Sequence, residues 1–143
     1  MNQDTSFLAK TFYGFEPLLE KELRKLGAKN IKSINRAVSF EGDLGFLYKA
    51  NLSLRTALRI LMPIGFFPVK NQTDLYRAID RIDWSKWFSA DQSFIIDVTL
   101  FSDHFNHSLF VAQKAKDAIV DQFLKKEGKR PSVTTENPDI RIQ

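Results

Sequence analysis

Lysine and arginine recur in this sequence at spacings that suit contact with phosphate. Lys114 with Lys125, and Lys116 with Lys126 and the Lys129-Arg130 pair, would project from one end and side of a long helical segment. Arg55 and Arg59, four apart, share a side whether their segment is helical or extended. Cationic side chains meet phosphates in charge-assisted contacts that fix position without reading sequence. The candidate binding residues are therefore Lys114, Lys116, Lys125, Lys126, Lys129 and Arg130, with Arg55, Arg59 and Lys70 as a second group. The same charges also suit a solvated helix face. Asp117 stands three residues after Lys114 and Asp121 four before Lys125, spacings that allow ion pairs.

Other chemistry has weaker support. His104 and His107 are three apart beside Asp103, but a metal site usually needs three or four convergent ligands. Asn137-Pro138-Asp139 resembles part of the Asn-Pro-Pro-aromatic motif of amino-group methyltransferases, yet Asp139 and Ile140 replace the second proline and the aromatic, so a turn is expected. Two loop histidines single out no serine-histidine-acid arrangement, and the carboxylates show no acid/base spacing. Gly14, Gly27, Gly42, Gly45, Gly65 and Gly128 are scattered and form no phosphate-cradling or dinucleotide loop. The thirteen phenylalanines and two tryptophans can stack bases, but their spacing fits a core. The segment is expected to be non-catalytic, with no metal and no cofactor of its own.

These residues must be held by a fold. Apolar spacing predicts a strand over residues 6–11, a helix over 15–26 stopped by Gly27, two strands over 31–34 and 37–40 joined at Asn35-Arg36, a break and cap at Gly42-Asp43, a helix over 44–52 and a closing strand over 56–62. The charges on the first helix read as a solvated face. This order is the β-α-β-β-α-β unit of a ferredoxin-like fold. Pro63, Gly65 and Pro68 mark a boundary, giving domains over 1–65 and 66–143. Beyond it, Asp74 should cap a helix through Ile82, with Trp84 and Trp87 packed nearby. Residues 93–100 alternate as a strand, residues 108–127 form the longest helix, buried through Val111, Ala115, Ala118, Ile119, Gln122 and Phe123, and Gly128 stops it. Residues 140–143 open a further strand. The class is α+β.

Composition bounds the possibilities. With 143 residues, 43% hydrophobic and 27% charged, the chain can bury a core and is neither a disordered tail nor a coiled-coil rod. The absence of cysteine excludes disulfides and thiolate chemistry and fits a cytoplasmic setting. The apolar run over 60–67 is broken by Pro63 and Gly65 and falls short of the roughly 20 residues a membrane span needs. Net charge is +4, carried as +5 on residues 1–72 and −1 on residues 73–143.

Longer sequence words then carry a resemblance. Phe7-Leu8-Ala9-Lys10-Thr11, Gly14-Phe15-Glu16-Pro17-Leu18-Leu19-Glu20, Val38-Ser39-Phe40-Glu41-Gly42-Asp43 and Leu54-Arg55-Thr56-Ala57-Leu58-Arg59-Ile60 resemble the opening of bacterial THUMP-containing RNA methyltransferases. Asn106-His107-Ser108, Lys114-Ala115-Lys116-Asp117-Ala118-Ile119-Val120-Asp121, Arg130-Pro131-Ser132-Val133 and Pro138-Asp139-Ile140-Arg141 resemble the THUMP helix and following strand of the enzymes that methylate guanine N2 in 23S ribosomal RNA, often labelled N6-adenine-specific DNA methylases.

The resemblance implies a ferredoxin-like domain followed by an α/β THUMP domain that binds structured RNA, with large-subunit ribosomal RNA as the partner and no membrane. It implies that S-adenosylmethionine and the catalytic motif belong to a covalently linked methyltransferase domain downstream. The chain is then expected to be a fragment, with the last THUMP strands following Gln143. A docking module, or a free-standing RNA-binding adaptor without methyltransferase activity, is the alternative.

Overall fold

Phe7 and Ala9 are buried in β1 (Thr5–Lys10), and Val38 and Phe40 are buried opposite them in β3 (Ala37–Gly42), where Phe7 pairs with Phe40 and Ala9 with Val38. Alternation at period two gives such strands one buried face. They belong to a computed structural model that describes residues 4–143. The described chain divides into two units, one running through Ile64 and one from Gly65 to Gln143.

In the first unit, β2 (Lys29–Ile34), β3, β1 and β4 (Arg59–Leu61) lie side by side in that order, every neighbour antiparallel. Helices α1 (Glu16–Leu26) and α2 (Leu44–Ser53) supply Leu19, Leu23, Phe46 and Leu47 to the sheet's apolar cluster. This is the expected ferredoxin-like arrangement. Leu19 and Leu23 are one helical turn apart, so both meet the sheet. Gly27, at φ 96°, ends α1, its N–H reaching the Arg24 carbonyl at 3.2 Å. Asp43 caps α2 by accepting from the Phe46 amide at 2.7 Å.

The closing strand is shorter than the sequence pattern. Glu22 on α1 accepts from the Arg55 amide at 3.2 Å, the Thr56 amide at 3.1 Å and the Thr56 hydroxyl at 2.6 Å. Those donors are therefore spent on a helix side chain, and pairing with β1 begins only where the Leu58 amide reaches the Lys10 carbonyl at 2.8 Å. Glu22 itself is half-buried, which departs from the solvated face expected for α1.

The second unit contains α3 (Gln72–Asp80), a one-turn 3-10 helix (Trp84–Lys86), β5 (Ser93–Ile96), α4 (Ser108–Glu127), β6 (Ser132–Val133) and β7 (Ile140–Ile142). β5 is central, with β6 and β7 parallel to it on either side. Its core joins Trp84, Phe88, Ala90 and Phe94 to Ile119, Val120 and Phe123 of α4, with the Phe88 ring 5.4 Å from Phe94 and 5.1 Å from Phe123. Gln122 is buried but fully engaged. Its Oε1 accepts from the Trp84 amide at 3.0 Å, and its Nε2 donates to the Asp80 and Ile82 carbonyls at 2.7 and 2.9 Å.

Several local expectations change here. Asn71 caps α3 instead of Asp74, because its Oδ1 sits 2.9 Å from the Asp74 amide, and α3 ends at Asp80, where Gln122 takes the Asp80 carbonyl. Trp84 is buried and bonded through Nε1 to the Ile79 carbonyl, whereas Trp87 is 43% exposed. β5 stops before Leu100: the Asp97 amide still reaches the Ile142 carbonyl, and no strand among the described residues pairs further along. Val111 is only half-buried, and Val120 joins the core. Not every phenylalanine is core, since Phe66 and Phe101 are almost fully exposed.

Candidate nucleic-acid interface

Helix α4 positions most of the candidate cations. Ala115, Ala118, Ile119, Gln122 and Phe123 anchor one side of it, and Gly128, at φ 66°, ends it before Lys129. With 3.6 residues per turn, Lys114 and Lys125 lie on nearly the same side but about 16 Å apart along the axis, while Lys116 lies about 160° around from Lys114. The six candidates on and just after α4 therefore do not form one patch. Lys114 belongs with α3, and Lys125, Lys126, Lys129 and Arg130 cluster at the helix end.

Partners separate these cations further. Lys126 Nζ lies 2.8 Å from Asp83 Oδ1, Lys129 pairs with Asp91, and Lys116 Nζ lies 3.1 Å from Asp117 Oδ1. The hydrogen bond from Lys126, helped by the Ser85 hydroxyl, lowers the Asp83 pKa to about 2. Lys114, Lys125 and Arg130 have no ion-pair partner among the described residues. Asp117 thus pairs with its neighbour Lys116 instead of Lys114. Asp121 serves neither lysine, because it accepts the Tyr76 hydroxyl at 2.6 Å.

Lys70 is exposed at the entrance to α3, its amide donating to Asp74 Oδ2 at 3.3 Å. Arg55 and Arg59 belong to the first unit, both exposed, Arg55 in the segment held by Glu22 and Arg59 on β4. Asn137 adopts φ 47° in the expected turn, and Asp139 clips that turn to β5 by accepting from the Ser93 amide at 2.8 Å. His104 and His107 are exposed, and among the described residues no three histidine, aspartate or glutamate side chains group to hold a metal ion.

The sequence pattern missed the α3 side of this surface. Gln72, Thr73, Tyr76 and Arg77 line an open cleft of about 390 Å³, with Lys114 across from them on α4. Positions 72, 73, 76 and 77 are one helical turn apart in pairs, which would have revealed a shared face. The hydrogen bond to Asp121, together with burial, pushes the Tyr76 pKa up to about 12, so the ring stays a neutral donor that fixes α3 against α4. Arg77, like Lys114, has no ion-pair partner among the described residues.

A four-stranded antiparallel sheet with two helices, followed by a helix-backed parallel sheet whose long helix bears surface cations, defines a two-part α+β chain. Residues 6–61 match the family described as the RlmL ferredoxin-like domain, and residues 69–143 match the THUMP domain. The chain belongs to the THUMP-domain family. It is 42% identical over 142 residues to the ribosomal RNA large subunit methyltransferase K/L of Methylococcus capsulatus, the match covering 99% of this chain and 19% of that relative. Among solved structures, SMU.472, assigned as a methyltransferase and solved complexed with SAH, superposes with a TM-score of 0.80 at 25% identity, covering 92% of this chain and 36% of that one. A structure from Listeria monocytogenes, assigned as an N6-adenine-specific DNA methylase, shares the fold with a TM-score of 0.74 at 24% identity, over 94% of this chain and 38% of that one.

No helix among the described residues is long and apolar enough to cross a membrane.

Proposed function

We propose that this chain is the RNA-binding, substrate-positioning part of an S-adenosylmethionine-dependent methyltransferase that modifies guanine N2 in 23S ribosomal RNA in the cytoplasm. The observation that carries the reading is the 42% identity, across nearly the whole chain, to a ribosomal RNA large subunit methyltransferase. The match to the THUMP domain and the cations that α4 leaves unpaired support it. Lys114, Lys125 and Arg130 are its primary contacts, with Lys116, Lys126 and Lys129 available if their aspartates are displaced, and Arg55, Arg59 and Lys70 secondary. Contacts of this kind recognise backbone and shape, as suits A-form RNA, whose deep major groove side chains do not read.

No residue of this segment is assigned to S-adenosylmethionine. In this proposal the cofactor is bound by another part of the protein.

Binding of the chain to labelled fragments of structured ribosomal RNA, measured across a salt series, tests the reading. Affinity should fall steeply with salt, because each neutralised phosphate releases counterions. No binding at about 50 mM salt, where such contacts are strongest, overturns it. A docking role for the first unit draws on a separate observation: Phe12, Tyr13, Phe15 and Leu18 stay exposed around the β1–α1 connection, with Phe12 and Phe15 edge to face at 6.0 Å. RNA affinity unchanged when the candidate lysines are removed would favour that role.

A further inference from the structure

The cleft between α3 and α4 differs from the rest of the basic surface in what surrounds it. Its lining is Gln72, Thr73, Tyr76, Arg77 and Lys114: two cations, an amide, a hydroxyl and a phenol, with no carboxylate. The aspartates on the two helices are accounted for nearby. Asp121 takes the Tyr76 hydroxyl, Asp117 takes Lys116, and Asp74 accepts from the Lys70 amide. Asp80, three residues after Arg77, is outside ion-pair distance of it, and its carbonyl is held by Gln122. Lys114 is half-buried and lines the cleft together with Arg77, while Asp121, Asp80 and Asp117 lie close enough to act on Tyr76 without lining the cleft themselves. Two cations that line one cleft and have no ion-pair partner among the described residues are the complement of a single multivalent anion.

We propose that this cleft is a phosphate seat, in which Arg77 and Lys114 together grip one phosphate group of the bound RNA. The inference rests on the RNA-binding reading above and adds to it a specific anchor. Arginine offers a planar fork of donors and lysine a compact charge, so one phosphate can be held from two directions. Gln72 and Thr73 supply neutral donors at the rim. The Tyr76–Asp121 bond ties together the two helices that carry these cations. The phosphate is either an internal phosphodiester or a terminal monophosphate. The chemistry of the seat serves both.

The test is fluorescence anisotropy of the 143-residue chain with one RNA hairpin, prepared with a 5′-hydroxyl and with a 5′-monophosphate, across a salt series. Arg77→Gln and Lys114→Gln should each weaken binding and reduce the salt slope by about 1, the signature of one lost phosphate contact. Because both residues serve the same phosphate, the double variant should lose little more slope than either single one, a non-additivity expected of groups acting as a unit. A loss of about 2 in the double variant means two separate phosphates and overturns the shared seat. Preference for the 5′-monophosphate that vanishes in Arg77→Gln identifies a terminal group; equal binding of the two hairpins, with the losses retained, identifies an internal one. Arg77 is exposed and unpaired, so its replacement leaves the fold intact. If the unaltered chain binds RNA and Arg77→Gln binds equally well at the same slope, the seat is wrong while the broader reading stands. If the unaltered chain does not bind, both fall.

Discussion

The Tyr76 hydroxyl on α3 donates to Asp121 Oδ2 on α4 at 2.6 Å, joining positions 45 residues apart. Tyr76→Phe leaves a half-buried carboxylate without that donor and should destabilise the second unit by about 1.5–3 kcal/mol, the range for a hydrogen bond to a charged group, as read by urea unfolding. The phenol's pKa is raised from 10.0 to about 12 in the folded chain. A raised pKa contributes stability that is complete below pH 10 and is lost as pH rises toward 12. In an ultraviolet titration Tyr76 should therefore ionise only as pH approaches 12. Ionisation of Tyr76 near pH 10 would show that the bond is not maintained.

Gln122 answers three backbone groups at once, the Trp84 amide and the Asp80 and Ile82 carbonyls. Gln122→Leu keeps much of the volume but strands all three. A buried unsatisfied group costs about 1–3 kcal/mol, so a loss of about 3 kcal/mol is expected once water reaches part of the site. For a unit of this size that lowers Tm by more than about 10 °C, measurable by calorimetry. A shift within a degree or two of the parent would mean that the helix end relaxes freely.

Burial alone would raise the Glu22 pKa, but the Thr56 hydroxyl and the Thr56 and Arg55 amides together outweigh it and leave the carboxyl below 4.5. A lowered pKa contributes stability that is present above 4.5 and is lost as pH falls through the folded value. Glu22→Gln should flatten the acid side of the first unit's stability curve and leave it less stable at pH 7. An unchanged acid profile in a tryptophan-independent probe such as far-ultraviolet circular dichroism would contradict this.

If Lys126 contacts RNA as proposed, Asp83 competes with phosphate for it. Its pKa of about 2 arises from that ion pair and the Ser85 hydroxyl, so the pairing persists above pH 3.8 and is lost only as pH falls toward 2. Asp83→Asn removes one acidic charge and frees Lys126, and RNA affinity at pH 7 should rise by roughly two- to five-fold at low salt. The gain should shrink as salt increases. Equal affinities at every salt concentration would place Lys126 outside the interface.

Periodicity made the longest elements legible because burial and helix geometry act on the same residues. Residues 108–127 were expected as a helix and α4 spans Ser108–Glu127; Leu19 and Leu23 define α1 in both sequence and structure. What escaped depends on partners distant in sequence. The residues 56–58 look like strand, but Glu22 captures the local donors from 34 positions away. Asp74 has the chemistry of a cap, yet Asn71 three residues earlier has the geometry. The site shows the same division. Lysines on α4 were visible as types and spacing, whereas Arg77 acquires meaning only when α3 packs beside Lys114, and Asp83 and Asp91 neutralise lysines more than 35 residues away.

Those pairings give the basic residues of α4 an order of importance that charge alone does not. Lys116 already faces Asp117 at 3.1 Å, while Lys125 is exposed with no carboxylate partner among the described residues. An RNA phosphate approaching Lys116 must displace an aspartate or share the cation with it; one approaching Lys125 displaces only water and counterions. Lys125→Gln should therefore reduce the slope of log affinity against log salt by about 1, the loss of one phosphate contact. Lys116→Gln should reduce it by less than half as much, and Asp117→Asn should restore the difference by releasing Lys116. The three variants can be compared in one anisotropy series on the same hairpin. Equal slopes for Lys116→Gln and Lys125→Gln would mean that the Lys116–Asp117 pair does not persist in solution.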